Sequence, residues 1–197
     1  MIAQPVISGF MPVFNGEKFL KKSIESVLDQ TFRSFELVCV DDSSTDSSYA
    51  IMIKYSKIDK RVIVLQKPNG GIVPKSWNFA FPHLRGKFIS YMSQDDWMSS
   101  DNLELNYKRH LETGASIIVP YLVAYSEHGR NQKIGFDRNL IISGRDAFIL
   151  SLNWKIHGFC LCDAKLMKSE PFDEGSFNSD EYITRKNFLH SNKVAFS

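Results

Sequence analysis

Two adjacent carboxylates, Asp95 and Asp96, follow the apolar run Phe88-Ile89-Ser90-Tyr91-Met92. A run that short reads as a buried strand, so the pair stands at a strand's carboxyl end. In an open α/β sheet, ligands collect there. Paired carboxylates suit a hard divalent cation, which in turn binds phosphate oxygens. The same residues also suit a turn in which Asp95 or Asp96 caps the next helix. Two more polar clusters end apolar runs: Asp41-Asp42-Ser43-Ser44-Thr45-Asp46 and Asn69-Gly70-Gly71. Adjacent glycines allow backbone angles that let a chain approach a ligand closely. A late acid pair, Asp180-Glu181, stands where a helix should begin, and a helix N-terminus favours anions whether or not they do chemistry. His157 before Gly158 is a candidate acceptor contact, although a lone histidine more often has a structural role.

The elements that must position these residues alternate. Strands are expected at 6–11, 35–40, 61–65, 88–92 and 116–120. Helices are expected from about Glu17 to Gln30, to about Lys57, around Trp77, Asn78 and Phe81, and from the caps at 99–102 to Gly114. In the first helix Leu20, Ile24, Val27 and Leu28 recur at helical steps, and Leu103, Tyr107 and Leu111 mark one face of the last. Alternation of this kind argues a mostly parallel sheet with right-handed crossovers and helices on both faces. After residue 120 the pattern is mixed. A helix from Ser143 through Leu152, a strand at 159–162, a helix at 180–189 and a strand at 193–196 predict a sheet that gains strands of the opposite sense.

The 197 residues suffice for one α/β domain with a full core. A net charge of +2 gives no field that argues for nucleic acid. No apolar run approaches membrane-spanning length, and the N-terminus lacks a charged-then-apolar signal pattern. Cys39, Cys160 and Cys162 are odd in number and complete no zinc pattern. They read as buried free thiols in a reducing cytoplasm. No G-x-G-x-x-G follows any predicted strand.

Five stretches in order resemble family 2 glycosyltransferases. Val6 through Asn15 looks like that family's opening strand and loop, and Ser26 through Phe32 like its first-helix ending. Phe35 through Asp46 is similar to its second strand and Asp-Asp-x-Ser-Thr-Asp loop. Asn69-Gly70-Gly71 with Asn78 resembles its glycine turn and short helix, and Ser93-Gln94-Asp95-Asp96 stands where its acidic motif falls. The resemblance covers nearly the whole chain. It implies a GT-A (Rossmann-like) fold and one domain over 1–197, with a nucleotide-sugar-binding half to about 115 and an acceptor-side half after it. It also implies a hexosyltransferase-type enzyme that takes a nucleotide-sugar donor, expected to be a UDP-sugar, with Mg²⁺ or Mn²⁺ and inversion at the anomeric carbon. A saccharide or lipid-linked acceptor in bacterial surface-polysaccharide synthesis is expected, at the cytoplasmic face with peripheral membrane association. A sugar nucleotidyltransferase and a non-catalytic nucleotide-binding module are the alternatives. The nucleotidyltransferase would want a long Gly- and Arg-rich loop after the first strand, which 12–16 does not offer.

On this resemblance, Asp42 accepts a hydrogen bond from the base, although it could instead cap the second helix. Pro12, Phe14 and Asn15 line the same pocket, and Asn69, Gly70, Gly71 and Asn78 approach the donor. Asp96, helped by Asp95, holds the metal. Either Glu181 or Asp180 is the base, with Glu181 at the position usually assigned. Arg185, one turn on, could pair with Glu181. The chain departs from the family pattern in three places. Ser93 replaces the first acid of the motif. Trp77 stands where an arginine is frequent, so Lys75 is expected to supply the cation. The chain closes soon after its last predicted strand, which suggests a compact member or a shortened chain.

Overall fold

The computed structural model describes residues 4–125, 132–176 and 178–197. The chain starts with β1 (Ile7–Val13), α1 (Glu17–Leu28), β2 (Phe35–Asp41), α2 (Ser48–Ile58) and β3 (Val62–Gln66). α3 (Val73–Ala80), β4 (Phe88–Tyr91), α4 (Asn102–Thr113) and β5 (Ile117–Val119) follow. A hairpin of β6 (Leu122–Ala124) and β7 (Gln132–Ile134) leads to β8 (Ile141–Ser143) and α5 (Gly144–Leu152). β9 (Leu161–Asp163), α6 (Ala164–Met167), α7 (Ser179–His190) and β10 (Lys193–Phe196) complete it.

Among the described residues eight strands form one sheet in the order β3-β2-β1-β4-β9-β5-β10-β8. β1 to β4 are mutually parallel, β9 runs antiparallel between β4 and β5, β10 is parallel to β5, and β8 is antiparallel to β10. The expected strands of opposite sense are therefore β8 and β9. The halves drawn near residue 115 share this one sheet: β3-β2-β1-β4 come from the earlier half and β9-β5-β10-β8 from the later, joined where β4 pairs with β9.

Strand residues alternate between two buried faces, the period of a pleated strand. Ile7, Met11 and Val13 pack with Leu20 and Ile24 of α1, Met52 of α2 and Leu103 of α4. Phe10, Val38 and Val40 face the other way, onto Trp77 and Ala80 of α3, Ala147 of α5 and Ile183 and Phe188 of α7. Burial on both faces explains why these strands read as unbroken apolar runs.

α1 stops at Leu28, short of the predicted Gln30. Gln30 is fully buried, and its amide nitrogen donates to the carbonyls of Ser26 and Ser99 at 3.0 and 2.6 Å. Its amide oxygen accepts from the Leu103 N–H at 2.9 Å, so it serves the start of α4 in place of the side chains at 99–102. Leu111 is 65% exposed. The buried positions of α4 are Leu103 and Asn106, so the apolar stripe ends a turn earlier than its spacing suggests.

At the amino ends of the strands, Ser8 donates to buried Glu36 at 2.7 Å, and the Arg85 guanidinium closes on the same carboxylate at 2.6 and 2.8 Å. Gly86 sits where a Cβ would lie 2.5 Å from the Ser8 nitrogen, so only glycine fits. At the carboxyl ends, β1 has β2 on one side and β4 on the other. The chain winds outward from β1 to β3, then crosses back to β4. The gap between β1 and β4 is thus the topological switch point, where α/β sheets bind ligands.

Candidate functional site

Two loops meet at the switch point. The β1–α1 loop carries Phe14, Asn15 and Gly16, and the loop after β4 carries Ser93 to Asp96. Gln94 joins them. Its amide oxygen accepts from the Phe14 N–H at 2.9 Å, and its amide nitrogen donates to the Phe14 carbonyl at 3.1 Å. Its own carbonyl accepts from Ser23 on α1 at 2.7 Å. A Cβ at Gly16 would fall 2.4 Å from the Gln94 Oε1, so the glycine makes room for the clasp. Asn15, at φ 50°, ties the first loop to the next one through Thr45 N–H at 2.8 Å.

The cleft above this clasp has a volume of about 260 Å³ and is lined by Pro12, Phe14, Asp42, Asn69, Gly71, Ser76, Tyr91, Ser93 and Gln94. Phe14 is 46% exposed, so it belongs to the cleft wall and not to the core. Asp42 does not cap α2. That region is served by Asp46, which accepts from the N–H groups of Glu17 and Ser48 at 3.0 and 2.9 Å. Instead the buried Asp42 accepts through Oδ1 from the Lys67 ammonium and from the Gly70 N–H at 2.7 Å. Among the described residues its Oδ2 has no hydrogen-bond partner. A Cβ on Gly70 would come 2.6 Å from the Lys67 Nζ and 2.8 Å from Lys75 Cδ, which accounts for that glycine. Gly71, at φ 74°, is in the left-handed region that glycine favours.

A second cleft of about 250 Å³ adjoins the first. Trp77, Tyr91, Trp154, His157, Asp180, Glu181, Thr184 and Arg185 line it. Asp180 and Glu181 are in the first turn of α7. The Arg185 guanidinium bonds Glu181 at 3.2 Å. Asp180 has no hydrogen-bond partner among the described residues. Tyr91 is the common wall of the two clefts. Burial pushes its phenol up, and the carboxylates of Asp180, Asp96 and Asp95 add to that. All three acids are therefore within electrostatic reach of this one ring. Burial also raises the Asp96 carboxyl above the ordinary range, with the like charge of Asp95 as the second cause. The Ser93 hydroxyl donates to Asp95 Oδ1.

Among the described residues neither Asp95 nor Asp96 pairs with a cationic side chain, and no group of three or more His, Cys, Asp or Glu is arranged to hold an ion. Two acids of like charge without a counter-cation fit a divalent ion whose remaining ligands come from substrate and water, as Mg²⁺ commonly has.

Several expected site residues are elsewhere. The Asn78 carboxamide bonds both backbone groups of Phe172 at 2.8 Å and Glu174 at 2.9 Å. It stitches α3 to the segment before α7 and lines neither cleft. Asn15 and Gly70 shape the loops from behind. Lys75 packs beside Gly70 and does not reach the cleft lining. Trp77 is buried against Phe10, Tyr91 and Phe172, with ring centroids 4.1, 5.4 and 5.3 Å away. Reasoning from the sequence passed over Lys67, Gln94 and Tyr91 as site residues. Lys67 directly follows a strand and precedes Pro68-Asn69-Gly70, and that position was its available signal. Gln94 and Tyr91 had none beyond adjacency to the acid pair. The three thiols are buried, and burial pushes Cys39 and Cys160 up to about 12, so they are unreactive. Among the described residues no helix is long and apolar enough to cross a membrane.

Residues 8–175 match the family model described as glycosyl transferase family 2. The chain is 27% identical over 213 residues to the glycosyltransferase GlyA of Streptococcus pneumoniae serotype 4, covering 100% of this chain and 30% of GlyA. It is 26% identical over 202 residues to a poly(ribitol-phosphate) beta-glucosyltransferase of Bacillus spizizenii, covering 97% of this chain and 31% of that protein. The fold is that of S. aureus TarS 1-349 in complex with UDP, with a TM-score of 0.82 at 22% identity over 97% of this chain and 57% of that 1-349 chain. The chain thus spans about a third of the two relatives' length.

Proposed function

The chain belongs to glycosyl transferase family 2, and from that premise we propose that it transfers a sugar from a UDP-sugar to a saccharide or lipid-linked acceptor, with inversion at the anomeric carbon. The pathway in this reading is bacterial surface-polysaccharide synthesis at the cytoplasmic face, with peripheral attachment to the membrane. The observation that carries the reading is the junction of two clefts at Tyr91, with Asp95-Asp96 and Asp180 all within its electrostatic reach.

The first cleft takes the nucleotide. Asp42 Oδ2 accepts from the base ring N–H, while Lys67 and Gly70 hold the carboxylate through Oδ1. Phe14 and Pro12 cover the base, and the 69–71 turn lets backbone approach the donor. Asp96, with Asp95, would hold Mg²⁺ or Mn²⁺. A bound divalent ion neutralises charge growing on the leaving diphosphate. The second cleft takes the acceptor. Its hydroxyl loses a proton to a carboxylate on the side away from the diphosphate, and general-base assistance of this kind contributes ~10²–10⁴-fold. Asp180 is our choice for that base. Glu181, at the position the family pattern favours, is already bonded to Arg185, which fits a supporting part.

Titration calorimetry with UDP, with and without Mn²⁺ and against GDP, tests the donor half. UDP binding strengthened by Mn²⁺ is expected. A folded protein that binds no UDP under either condition would overturn it.

A further inference from the structure

Trp154 follows α5 at the mouth of the second cleft, and 64% of it is exposed. Its φ is 57°, in the left-handed region, where a bulky side chain is strained. The turn is held by hydrogen bonds from Trp154 N–H to the Ser151 carbonyl and from Lys155 N–H to the Leu150 carbonyl, both at 3.1 Å. Among the described residues only Asn15 and Ser43 share such a φ without being glycine, and both shape the loops of the first cleft. Strain of this kind gathers at ligand sites. The Arg185 guanidinium lies 5.2 Å from the centre of the indole ring and bonds Glu181, so one side chain touches both the ring and Glu181.

Resting on the transfer reading, we infer that Trp154 is the platform on which the acceptor's terminal sugar ring stacks, and that this unit is a neutral pyranose. A pyranose has an apolar C–H face and a hydroxyl rim. Stacked on indole, its C–H groups meet the negative face of the π-system while its hydroxyls stay wet. Neutrality follows from the charges around it. Among the described residues two carboxylates line the cleft, and its one Lys or Arg side chain is already bonded to one of them. Burial disfavours the charged form of His157, whose Nε2 is bonded to the Pro120 carbonyl. A phosphate or uronate at this position would meet like charge and no unpaired cation in the lining.

The test is saturation-transfer NMR with UDP and Mn²⁺ present, on wild type, Trp154→Phe and Trp154→Ala. The probes are the methyl pyranosides of glucose, galactose, mannose and N-acetylglucosamine, with methyl glucuronide and ribitol 5-phosphate as charged counterparts. At least one neutral pyranoside should bind through one C–H face, about tenfold more weakly in Trp154→Ala and nearly unchanged in Trp154→Phe. Wild-type affinity in Trp154→Ala, tighter binding of either charged probe, or no pyranoside binding to wild type would overturn the platform. UDP calorimetry on the same samples separates the two readings. If UDP binds and no pyranoside does, the platform falls and the donor reading stands. If pyranosides bind at Trp154 and UDP does not, the donor reading falls instead.

Discussion

Replacing Asp42 with alanine should do two separable things. Lys67 has a side chain only 6% exposed and pairs with this carboxylate. Removing the acid leaves an ammonium buried without its counter-charge, which costs about 3–5 kcal/mol. In a chain of this size that lowers the melting temperature by roughly 6–20 °C. The variant also loses the acceptor proposed for the base, a hydrogen bond to a charged group worth about 1.5–3 kcal/mol, or roughly 10- to 150-fold in Kd. The double variant Asp42→Ala, Lys67→Met separates the effects. It removes the orphaned charge, so most of the stability should return, while UDP should still bind weakly. Urea denaturation at unchanged m-value reads the first quantity and calorimetry the second. A single variant as stable as wild type would show that Lys67 does not depend on Asp42. A folded double variant with wild-type UDP affinity would show that Asp42 is only a strut for the 67–70 turn.

The acid pair makes a pH prediction. Asp96 has a raised carboxyl in the folded chain, so the native state binds that proton more tightly than the unfolded state. Stability should therefore fall as pH climbs from the ordinary aspartate value through the raised one, and Asp96→Asn should flatten that slope in urea titrations. Mn²⁺ should raise the melting temperature of wild type at neutral pH more than that of Asp96→Asn, and full activity in EDTA would remove the ion from the mechanism. Asp180→Asn should cut turnover by about 10²–10⁴-fold with UDP affinity intact, and more than Glu181→Gln does. A fully active Asp180→Asn would move the base elsewhere. Gln94→Ala removes two hydrogen bonds to Phe14, each worth about 0.5–1.5 kcal/mol. It should weaken UDP binding more than it lowers overall stability, and an unchanged Kd would mean the clasp is idle.

The first five strands, β1 to β5, were readable because burial within the sheet makes each an apolar run ending in polar turn residues. The hairpin of β6 and β7, strand β8 and helix α6 were not. Three- and four-residue elements carry too little periodicity, and Val123, Ala124, Gln132 and Lys133 are exposed. The acid pairs and the Asp42 loop were visible as residue types at strand ends and helix starts. What each side chain bonds was not. Asn78 has the polarity of a donor contact, yet its carboxamide serves Phe172, 94 residues away. Lys67 pairs with Asp42 across 25 residues. Such partners depend on which strands lie side by side, and local pattern does not encode that. Trp154 read as nothing in particular, because its exposure and its backbone angle are properties of the folded turn.

The place of β9 also sets an order of assembly. β5 has two neighbours in the sheet, β9 and β10, and both come more than forty residues after it in the chain. During synthesis from the N-terminus, strands β1 to β4 can pair as they emerge, but β5 has nothing to pair with until Leu161 has left the ribosome. Until then β4 ends the sheet with an open row of backbone groups, next to the apolar faces of Phe88 and Ile89. Unpaired strand edges of this kind invite association between chains. Three residues, Leu161 to Asp163, close that edge.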